Sequence, residues 1–437
     1  MRTLKIVWLC SLSNEKTRKH LTIKFSWPER ILFKILGRTL DSSDSAIWNT
    51  NAIEEFEKID EVDLHIVSPV RNLSTKYAEY QENGINYHFF RDENSSLFRK
   101  IIRFLFTQYS SEFKINRRKI RFLLNKIHPD LVHVIGAENP QYSLGLYEVP
   151  ENTPTILQLQ ALLDSTKDVV KGKRCLEYSY KGEIERNLIK HTDFVITKAV
   201  PFFNHIRNNI KCNVPILNGT LAMAQKINLE PCEKEYDFVH YASQLSESKA
   251  TDVSIKAFGE AYRQNSRLKL DIIGSCSPQF KKELDEIIDS YNMRDAVIFE
   301  GRLKTHDDVI KQIRKARFAL LPLKISLVPN TLHEAMANGL PLITTETPGT
   351  IALNDKNECA LISMQDDFLD IASKMLKLLN DADLAERLMM NAAEYEYNRD
   401  NNRNICMYWV ELYKVCIANK RNGDKIPEKY LLKTTEN

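Results

Sequence analysis

The sequence feature that most constrains the fold is a stretch in the second half of the chain, residues 317–350. It begins and ends with short apolar runs, residues 318–321 and 340–343, which are typical of buried parallel strands. Between them, apolar residues at helical spacing predict a helix with Asn330 as its N-cap and Gly339 at its left-handed C-terminal position. A strand, a helix and a second buried strand in succession indicate a layered α/β sheet.

The predicted helix carries a carboxylate one turn inside its start. Glu334 lies away from the apolar face that Leu332, Ala335 and Met336 form. First-turn amides are donors at the positive end of the helix dipole, so the loop over residues 326–331 suits a diphosphate. The carboxylate would then accept hydrogen bonds from a ribose. The alternative is that Glu334 is an ordinary acid favoured near a helix start.

Strands and helices alternate along the rest of the 437 residues, which predicts two α/β domains. We predict a first domain over residues 1–215, a linker over 216–236, a second domain over 237–400, a helix over 401–420 and a polar tail over 421–437.

The run PNTLHEAMANGLPLITT resembles the donor-site signature of the retaining family 4 glycosyltransferases, whose fold is called GT-B. The resemblance implies two Rossmann-like domains that face each other across a cleft, with the last helix crossing back to the first domain. In that family a Glu followed by Ala-Met-Ala binds the nucleotide ribose, and helix-start amides hold the diphosphate. Here these are Glu334 and the amides of Asn330 and Thr331. A second Glu of the family, near the sugar, corresponds to Ser326.

The run SQLSESKATDVSIKAF resembles a second motif of the same family, G-R-L-x-x-x-K-G. Lys249 matches the Lys that contacts the donor diphosphate, whereas Gln244 replaces the Arg and Ala250 replaces the final Gly. The alternative for Lys249 is an ordinary solvated lysine near a helix start. Relatives bind the base beside the loop that contains Arg302. The resemblance thus implies catalytic roles for Glu334 and Lys249, and donor-binding roles for Asn330, Thr331, Ser326, Gln244 and Arg302.

Two runs in the first domain, HPDLVHVIGAE and TILQLQALLDS, resemble a polysaccharide-assembling branch of that family. The resemblance assigns Gly136, Glu138 and Gln160 to the acceptor side of the cleft. Each run contains a buried strand followed by a loop, and ligands of open α/β sheets gather at the carboxyl ends of strands. His133 lies inside the first strand, where we predict a core histidine rather than a catalytic one.

Composition excludes several other classes of protein. The net charge of +3 argues against a protein that coats nucleic acid, and no apolar run approaches the ~20 residues that span a bilayer. Eight cysteines without a C-x-x-C pair indicate reduced thiols and a cytoplasmic location. The pair Asp381 and Asp383 is better explained by helix capping than by metal binding. We therefore predict no metal and no cofactor, only a nucleotide-sugar co-substrate of unknown base.

A basic segment covers residues 95–126, with nine basic side chains and one acid, Glu112. Within it, an apolar stripe of Phe98, Ile101, Ile102 and Leu105 at helical spacing lies opposite Arg99, Lys100 and Arg103, which predicts an amphipathic cationic helix. One interpretation is the solvated outer helix of a domain. The other is peripheral docking to an anionic membrane surface, where a lipid-linked acceptor is found.

The resemblance implies a metal-independent glycosyltransferase of polysaccharide biosynthesis. It would move a sugar from a nucleotide sugar to a glycan or lipid-linked acceptor with retention of the anomeric configuration. Two alternatives stay open. One is a GT-B nucleotide-sugar epimerase, which needs no acceptor. The other is a catalytically silent partner subunit, suggested by Ser326 and Gln244 in place of a Glu and an Arg.

Overall fold

The computed structural model describes residues 3–25, 27, 30, 44–95, 112–166, 173–223, 226–324, 329–347, 349–399 and 401–433. The chain forms two compact units. Unit 1 is Met1–Ala222 with Asn401–Asn437, and unit 2 is Met223–Asp400. Each unit contains a mainly parallel sheet with helices packed against it, which confirms the predicted class of two α/β domains.

The sheet of unit 1 has eight strands in the order β3-β4-β2-β1-β5-β6-β7-β8. All neighbours are parallel except β3 and β4, a hairpin that turns through Asn83 and Gly84, both at positive φ. The chain builds outward from β1 in one direction and from β5 in the other, so the topological switch point lies between β1 and β5. The strands are β1 (Leu4–Leu9), β2 (Val62–Val70), β3 (Tyr77–Glu82), β4 (Ile85–Arg91), β5 (Leu131–Ile135), β6 (Thr155–Gln158), β7 (Phe194–Thr197) and β8 (Ile216–Asn218).

Helices of unit 1 follow most of these strands. They are α1 (Glu15–Lys19), α2 (Ile47–Phe56), α3 (Lys114–Ile127), α4 (Pro140–Ser143), α5 (Leu163–Thr166), α6 (Lys173–His191) and α7 (Val200–His205). Within the described residues, no helix of the protein is both long and apolar enough to cross a membrane.

The sheet of unit 2 is fully parallel, with the order β11-β10-β9-β12-β13-β14 and a switch point between β9 and β12. Apolar side chains pack on both of its faces, because Phe238 and Val239 of β9 belong to different hydrophobic clusters. The strands are β9 (Tyr236–Gln244), β10 (Leu270–Ser275), β11 (Val297–Gly301), β12 (Ala316–Leu320), β13 (Leu342–Thr345) and β14 (Ala360–Ser363). The helices are α8 (Thr251–Gln264), α9 (Pro278–Ser290), α10 (His306–Ile313), α11 (Asn330–Ala337), α12 (Phe368–Asn380) and α13 (Ala382–Tyr397).

The last helix, α14 (Asn402–Asn422), belongs to unit 1. A series of side-chain hydrogen bonds connects α14 to the sheet. Trp8 Nε1 donates to the Tyr413 hydroxyl at 2.9 Å, and that hydroxyl lies 2.9 Å from His133 Nδ1. His133 is fully buried, and burial lowers its pKa to about 3, so the prediction of a neutral core histidine is confirmed.

Two predicted connecting segments are more ordered than their sequence suggests. The linker expected over residues 216–236 begins with β8, which pairs with β7, and the units divide at Ala222. The polar tail expected over 421–437 instead docks on unit 1: Tyr430 is buried and the Leu432 N–H donates to the Ile216 carbonyl at 2.9 Å. The reason is that β8 is an edge strand with unpaired backbone groups, which the tail covers.

Candidate active site

Helix α11 begins one residue earlier than predicted, so the expected role of Asn330 as N-cap is wrong. Pro329 has the extended backbone of an N-cap, and Asn330 is the first helical residue. The Asn330 side chain donates to the Glu334 carboxylate, its neighbour one turn along the helix. The first internal bond of the helix joins the Leu332 N–H to the Pro329 carbonyl at 3.0 Å. The Asn330 and Thr331 amides precede that bond, at the positive end of the helix.

Packing fixes both ends of α11. Its apolar face, with Leu332, Ala335 and Met336, is fully buried in one of the hydrophobic clusters of unit 2. The Tyr241 hydroxyl on β9 donates to the Thr331 carbonyl at 2.6 Å, which holds the first turn against the sheet. Gly339 ends the helix at φ +69, so the predicted left-handed termination is confirmed.

The Glu334 side chain is buried rather than on an open helix surface. Its exposed fraction is 5%. Asn330 donates to its Oε1, and His306 Nε2 lies 3.7 Å from the same oxygen. Burial raises the pKa of the carboxyl to about 7, although the Asn330 hydrogen bond favours the ionised form. Near neutral pH this carboxyl is therefore close to the midpoint of its titration.

His306 is a site residue that the sequence did not reveal. It is the first residue of α10, whose start is fixed by a capping box between Thr305 and Asp308. That box is a local signal for the helix. The contact between His306 and Glu334 depends on how two helices pack, and no local pattern encodes it.

Lys249 lies in the turn that joins β9 to α8. The turn is a short 3₁₀ segment, Glu247–Lys249, and burial lowers the pKa of the Lys249 ammonium. Within the described ranges, no carboxylate forms an ion pair with it. The Lys324 N–H lies 3.4 Å from the Ser248 carbonyl, which links this turn to the loop after β12. Lys249 and the start of α11 therefore both lie at the carboxyl edge of β9 and β12, the switch point of unit 2.

The backbone of this turn explains why related motifs have a glycine there. Ala250 has φ +48, a left-handed conformation that costs a residue with a side chain about 1 kcal/mol or more. His240 of β9 stabilises the turn from below: its Nδ1 lies 3.0 Å from the Leu320 carbonyl and its Nε2 lies 3.0 Å from the Thr251 hydroxyl. These bonds connect β9, β12 and α8.

No described contact joins the remaining predicted donor residues to Glu334. Gln244 is exposed at the end of β9, and Arg302 is exposed just after β11. Arg302 does precede the segment that leads to His306. Ser326 lies outside the described residues. The donor-binding roles of these three residues therefore stay predictions.

The three predicted acceptor-side residues of unit 1 lie together. Glu138 follows β5, and its Oε1 accepts from Asn139 Nδ2 at 3.1 Å and from Gln160 Nε2 at 3.0 Å. The Gln160 oxygen accepts from Trp48 Nε1 at 3.0 Å, in the amide orientation that satisfies both partners. Gly136 has φ +94, and a Cβ there would lie 2.5 Å from Glu138 Oε1. Burial raises the pKa of Glu138 to about 7.

For Asp381 and Asp383 the sequence favours helix capping over metal binding. The structure confirms the capping, because the Asp381 carboxylate accepts from the Leu384 N–H at 2.9 Å at the start of α13. Over the ranges that the structure describes, no group of three or more His, Cys, Asp or Glu side chains is placed to hold a metal ion.

Several basic side chains of the segment over residues 95–126 have partners within the protein, which its composition did not suggest. The predicted amphipathic cationic helix falls within residues 96–111, which lie outside the described residues, so it stays a prediction. The basic residues that follow it belong mostly to α3. Arg117 and Arg121 both pair with the buried Glu148 carboxylate, and Lys119 is buried with its ammonium on the Arg91 carbonyl. The exposed face of α3 instead presents Arg118 with the apolar Ile115 and Phe122. The sequence could not show this, because Glu148 is distant along the chain.

Comparisons with known proteins agree with this architecture. Residues 225–395 match the family model described as glycosyl transferases group 1. A curated relative, the N-acetyl-alpha-D-glucosaminyl L-malate synthase of Bacillus anthracis, is 23% identical over 191 residues. That match covers 44% of this chain and 48% of the relative, so it spans about half the length of the curated protein.

Solved structures share the fold over nearly the whole chain. Sucrose-phosphate synthase from Thermosynechococcus elongatus has a TM-score of 0.65 at 15% identity, covering 94% of this chain and 98% of that one. Anabaena Alr3699/HepE in complex with UDP and glucose has a TM-score of 0.62 at 12% identity, covering 94% and 99%. At such identities the likeness shows the fold alone. Residues 225–395, nearly all of unit 2, therefore resemble the glycosyl transferases group 1, and the chain shares its fold with these solved structures.

Proposed function

We propose that the protein transfers a sugar from a nucleotide sugar to a glycan or lipid-linked acceptor, with retention at the anomeric carbon, in polysaccharide biosynthesis. The observation that carries the proposal is the convergence at the β9/β12 switch point. The first turn of α11, the enclosed Glu334 carboxylate and the Lys249 ammonium lie at one edge of one sheet. These groups suit, in turn, the phosphates of a nucleotide sugar, its ribose, and the negative charge on the departing diphosphate.

In the proposed reaction the bond between the anomeric carbon and the diphosphate oxygen breaks, and the diphosphate leaves with the electron pair. An acceptor hydroxyl forms the new bond on the same face of the sugar, and its proton passes to the departing diphosphate. The amides of Asn330 and Thr331 and the Lys249 ammonium stabilise the charge that develops. Glu334 orients the nucleotide through the ribose hydroxyls and transfers no proton.

Three features support the individual assignments. Lys249 has no carboxylate partner among the described residues, so its charge is available to a phosphate. Its half-buried position strengthens that interaction, since solvent screens it less. The carboxylate of Glu334 is fixed by Asn330, which leaves its second oxygen for a ligand hydroxyl. Amides and a lysine carry the phosphate charge in this proposal, so it requires no metal.

The first donors to test are UDP sugars, because UDP is bound in the Anabaena structure and in TarM from S. aureus. The experiment is a screen of UDP-, GDP- and ADP-sugars for nucleotide release, with and without glycan acceptors. We expect release by the wild type, acceleration by an acceptor, and at least a tenfold loss in Glu334→Ala and Lys249→Ala. The matched controls are Glu386→Ala on α13 and Lys256→Ala on α8, which should behave as wild type.

The outcomes separate the competing functions. Conversion of one nucleotide sugar into another without acceptor would indicate the epimerase. Binding without turnover of any donor would indicate the silent subunit. If Glu334→Ala and Lys249→Ala retain full turnover, the assignment of this site is wrong. The anomeric configuration of the product, read by NMR, tests retention.

A further inference from the structure

Helix α11 is enclosed by the rest of unit 2 along most of its length. Residues 332–337 are all buried, and the helix packs against both the sheet and α13. The Tyr241 hydroxyl holds the Thr331 carbonyl at its start, and the Asn228 N–H donates to the Ala337 carbonyl at its end, at 2.8 Å. Hydrogen bonds therefore fix both ends of α11 to neighbouring parts of unit 2.

The middle of α11 is held by a contact between ionisable side chains. His333, which immediately precedes Glu334, has its Nδ1 2.7 Å from Glu396 Oε1 on α13. Burial lowers the pKa of His333, so its ring is neutral at neutral pH. A carboxylate only accepts hydrogen bonds, so the proton of this neutral ring lies on Nδ1. The Tyr395 ring lies nearly parallel to the imidazole, at an interplanar angle of 9°. The hydrogen bond and the ring contact together restrict the orientation of His333.

Glu396 is enclosed as well, and both of its oxygens have partners. Its side chain is 0% exposed, and Oε2 accepts from Arg399 Nη1 at 2.9 Å. The Arg399 cation compensates the negative charge, while Oε1 is bonded to His333. A carboxylate is costly to bury and adds little net stability even when it is paired, so stability alone is a weak reason for this contact. Its geometry is a stronger reason, because satisfied hydrogen bonds between enclosed groups specify one arrangement of two packed helices.

We propose that His333 and Glu396 are positioning residues that set the rotation of α11 about its axis and thereby direct Glu334 and the first-turn amides at the donor. This inference rests on the proposed function, which makes α11 the donor-binding helix. Because the backbone of a helix turn is rigid, a rotation that displaces His333 displaces Glu334 by the same angle. A displacement of about 1 Å in a positioned group can cost roughly 100-fold in rate, so a small rotation matters.

The alternative is that the pair only stabilises the fold, and the double variant His333→Leu/Glu396→Leu separates the two roles. It replaces both partners with apolar side chains, a change that is often neutral for the stability of a buried pair. Arg399 is partly exposed and reaches solvent. The measurements are urea unfolding and isothermal titration of the full chain with UDP. We expect unfolding close to that of the wild type and at least fivefold weaker UDP binding.

The matched control is Asp381→Ala, at the other end of α13. Asp381 caps that helix by accepting from the Leu384 N–H, so its loss weakens the same helix without touching α11. UDP binding should stay at the wild-type level in this variant. The conservative variant is His333→Asn, whose amide places an N–H near the position of Nδ1. It should bind UDP within twofold of the wild type, whereas His333→Leu should lose at least fivefold.

The outcomes separate this inference from the proposed function. If the wild type binds none of UDP, GDP and ADP, the proposed function is wrong. Hydrogen exchange of the ligand-free protein then decides the inference: peptides over residues 329–339 should exchange at least threefold faster in the double variant than in the wild type and in Asp381→Ala. Unchanged exchange there would overturn it.

Where the wild type does bind UDP, wild-type affinity in a folded double variant would overturn the positioning role, as would an equal loss in Asp381→Ala. Should the double variant fail to fold by circular dichroism, the single variants decide. Equal UDP affinity in His333→Asn and His333→Leu would then show that the hydrogen bond to Glu396 does not position α11.

Discussion

The two switch points of this protein carry different kinds of polar group at the same place in the fold. In unit 2 the loops after β9 and β12 bring a helix start and Lys249 to the edge of the sheet, which favours an anion. In unit 1 the equivalent edge carries the Glu138 carboxyl with the amide side chains of Asn139 and Gln160. We therefore expect strand order to set where a ligand binds in each unit, and the side chains at that edge to set which ligand it is.

The largest effect should come from removing the cation of unit 2. We expect Lys249→Ala to lower kcat by about 100-fold, the order found when one preorganised charge-stabilising group is lost. KM for the donor should change less, because the interaction grows as the diphosphate leaves. Steady-state kinetics check this. A drop confined to KM would show that Lys249 binds the ground state only, and the comparison between the two edges would lose its catalytic meaning.

The second effect concerns the enclosed carboxyl of unit 2. Burial raises the pKa of Glu334 from 4.5 to about 7, so the folded state binds this proton more tightly than the unfolded state. The carboxyl therefore destabilises the fold increasingly as the pH rises from about 4.5 to 7. Relative to the wild type, Glu334→Gln should raise the free energy of unfolding by up to about 3 kcal/mol more at pH 8 than at pH 4.

Urea unfolding of the wild type and of Glu334→Gln at both pH values measures this difference. Glu138→Gln is the matching variant in unit 1, since burial also raises the pKa of Glu138 to about 7. Equal gains at pH 4 and pH 8 would mean that these carboxyls ionise normally and are not enclosed as the structure has them.

A third prediction concerns the close approach of the Gly136 backbone to the Glu138 carboxylate in unit 1. Gly136→Ala would place a Cβ 2.5 Å from Glu138 Oε1, in a backbone with φ +94. We expect a loss of about 2 kcal/mol in unfolding free energy, from strain and from displacement of the carboxylate. The measurement is urea unfolding with Gly423→Ala as control, because that glycine also has positive φ but no atoms near its Cβ position. Equal losses in both variants would remove the role assigned to Glu138.

A fourth prediction concerns α3 and the interpretation that the basic segment docks on an anionic membrane surface. Arg118 is exposed on α3, whereas Arg117 and Arg121 neutralise Glu148. If α3 docks on anionic lipid, Arg118→Ser should weaken vesicle binding about fivefold, the worth of roughly one basic residue at such a surface. Arg121→Ser should weaken it less. Sedimentation with phosphatidylserine vesicles checks both, and unchanged partitioning of Arg118→Ser would count against docking through this face.

The smallest effect tests the departure of this chain from the related motif. Ala250→Gly should relieve the left-handed strain at φ +48, but it also removes a methyl group that is 1% exposed. We expect the two effects nearly to cancel, with a net gain below about 1 kcal/mol. Thermal unfolding measures the change. A loss above 1 kcal/mol would show that packing of the methyl group outweighs the strain.

The sequence predicted those features that depend on neighbours along the chain. The α11 segment has local signals at both ends, and Gly339 ends it as expected. The predicted N-cap is wrong by one residue because Pro329 takes the extended boundary conformation, and Asn330, the first helical residue, donates to Glu334. Contacts between distant segments carry no such signal, as the pairs His306 with Glu334 and Trp48 with Gln160 show.

Polarity along the chain was also an incomplete guide. The tail after Gly423 is polar on average, yet Tyr430 is buried beside β8 because an edge strand offers it a place. The basic residues of α3 likewise suggested an open cationic face, and their partner Glu148 comes from a separate 3₁₀ segment, Leu144–Glu148. Resemblance to a family supplied the candidate site residues, whereas their burial and pKa shifts required the structure.

The central claim is that the first turn of α11 binds the diphosphate of the donor. Hydrogen-exchange mass spectrometry with and without UDP tests it directly, by comparing peptides over residues 329–339 with peptides over 136–146 of unit 1. We predict that UDP slows hydrogen exchange over residues 329–339 and that Lys249→Ala reduces this protection. Exchange over residues 136–146 should not change. Protection over 136–146 with none over 329–339 would contradict it.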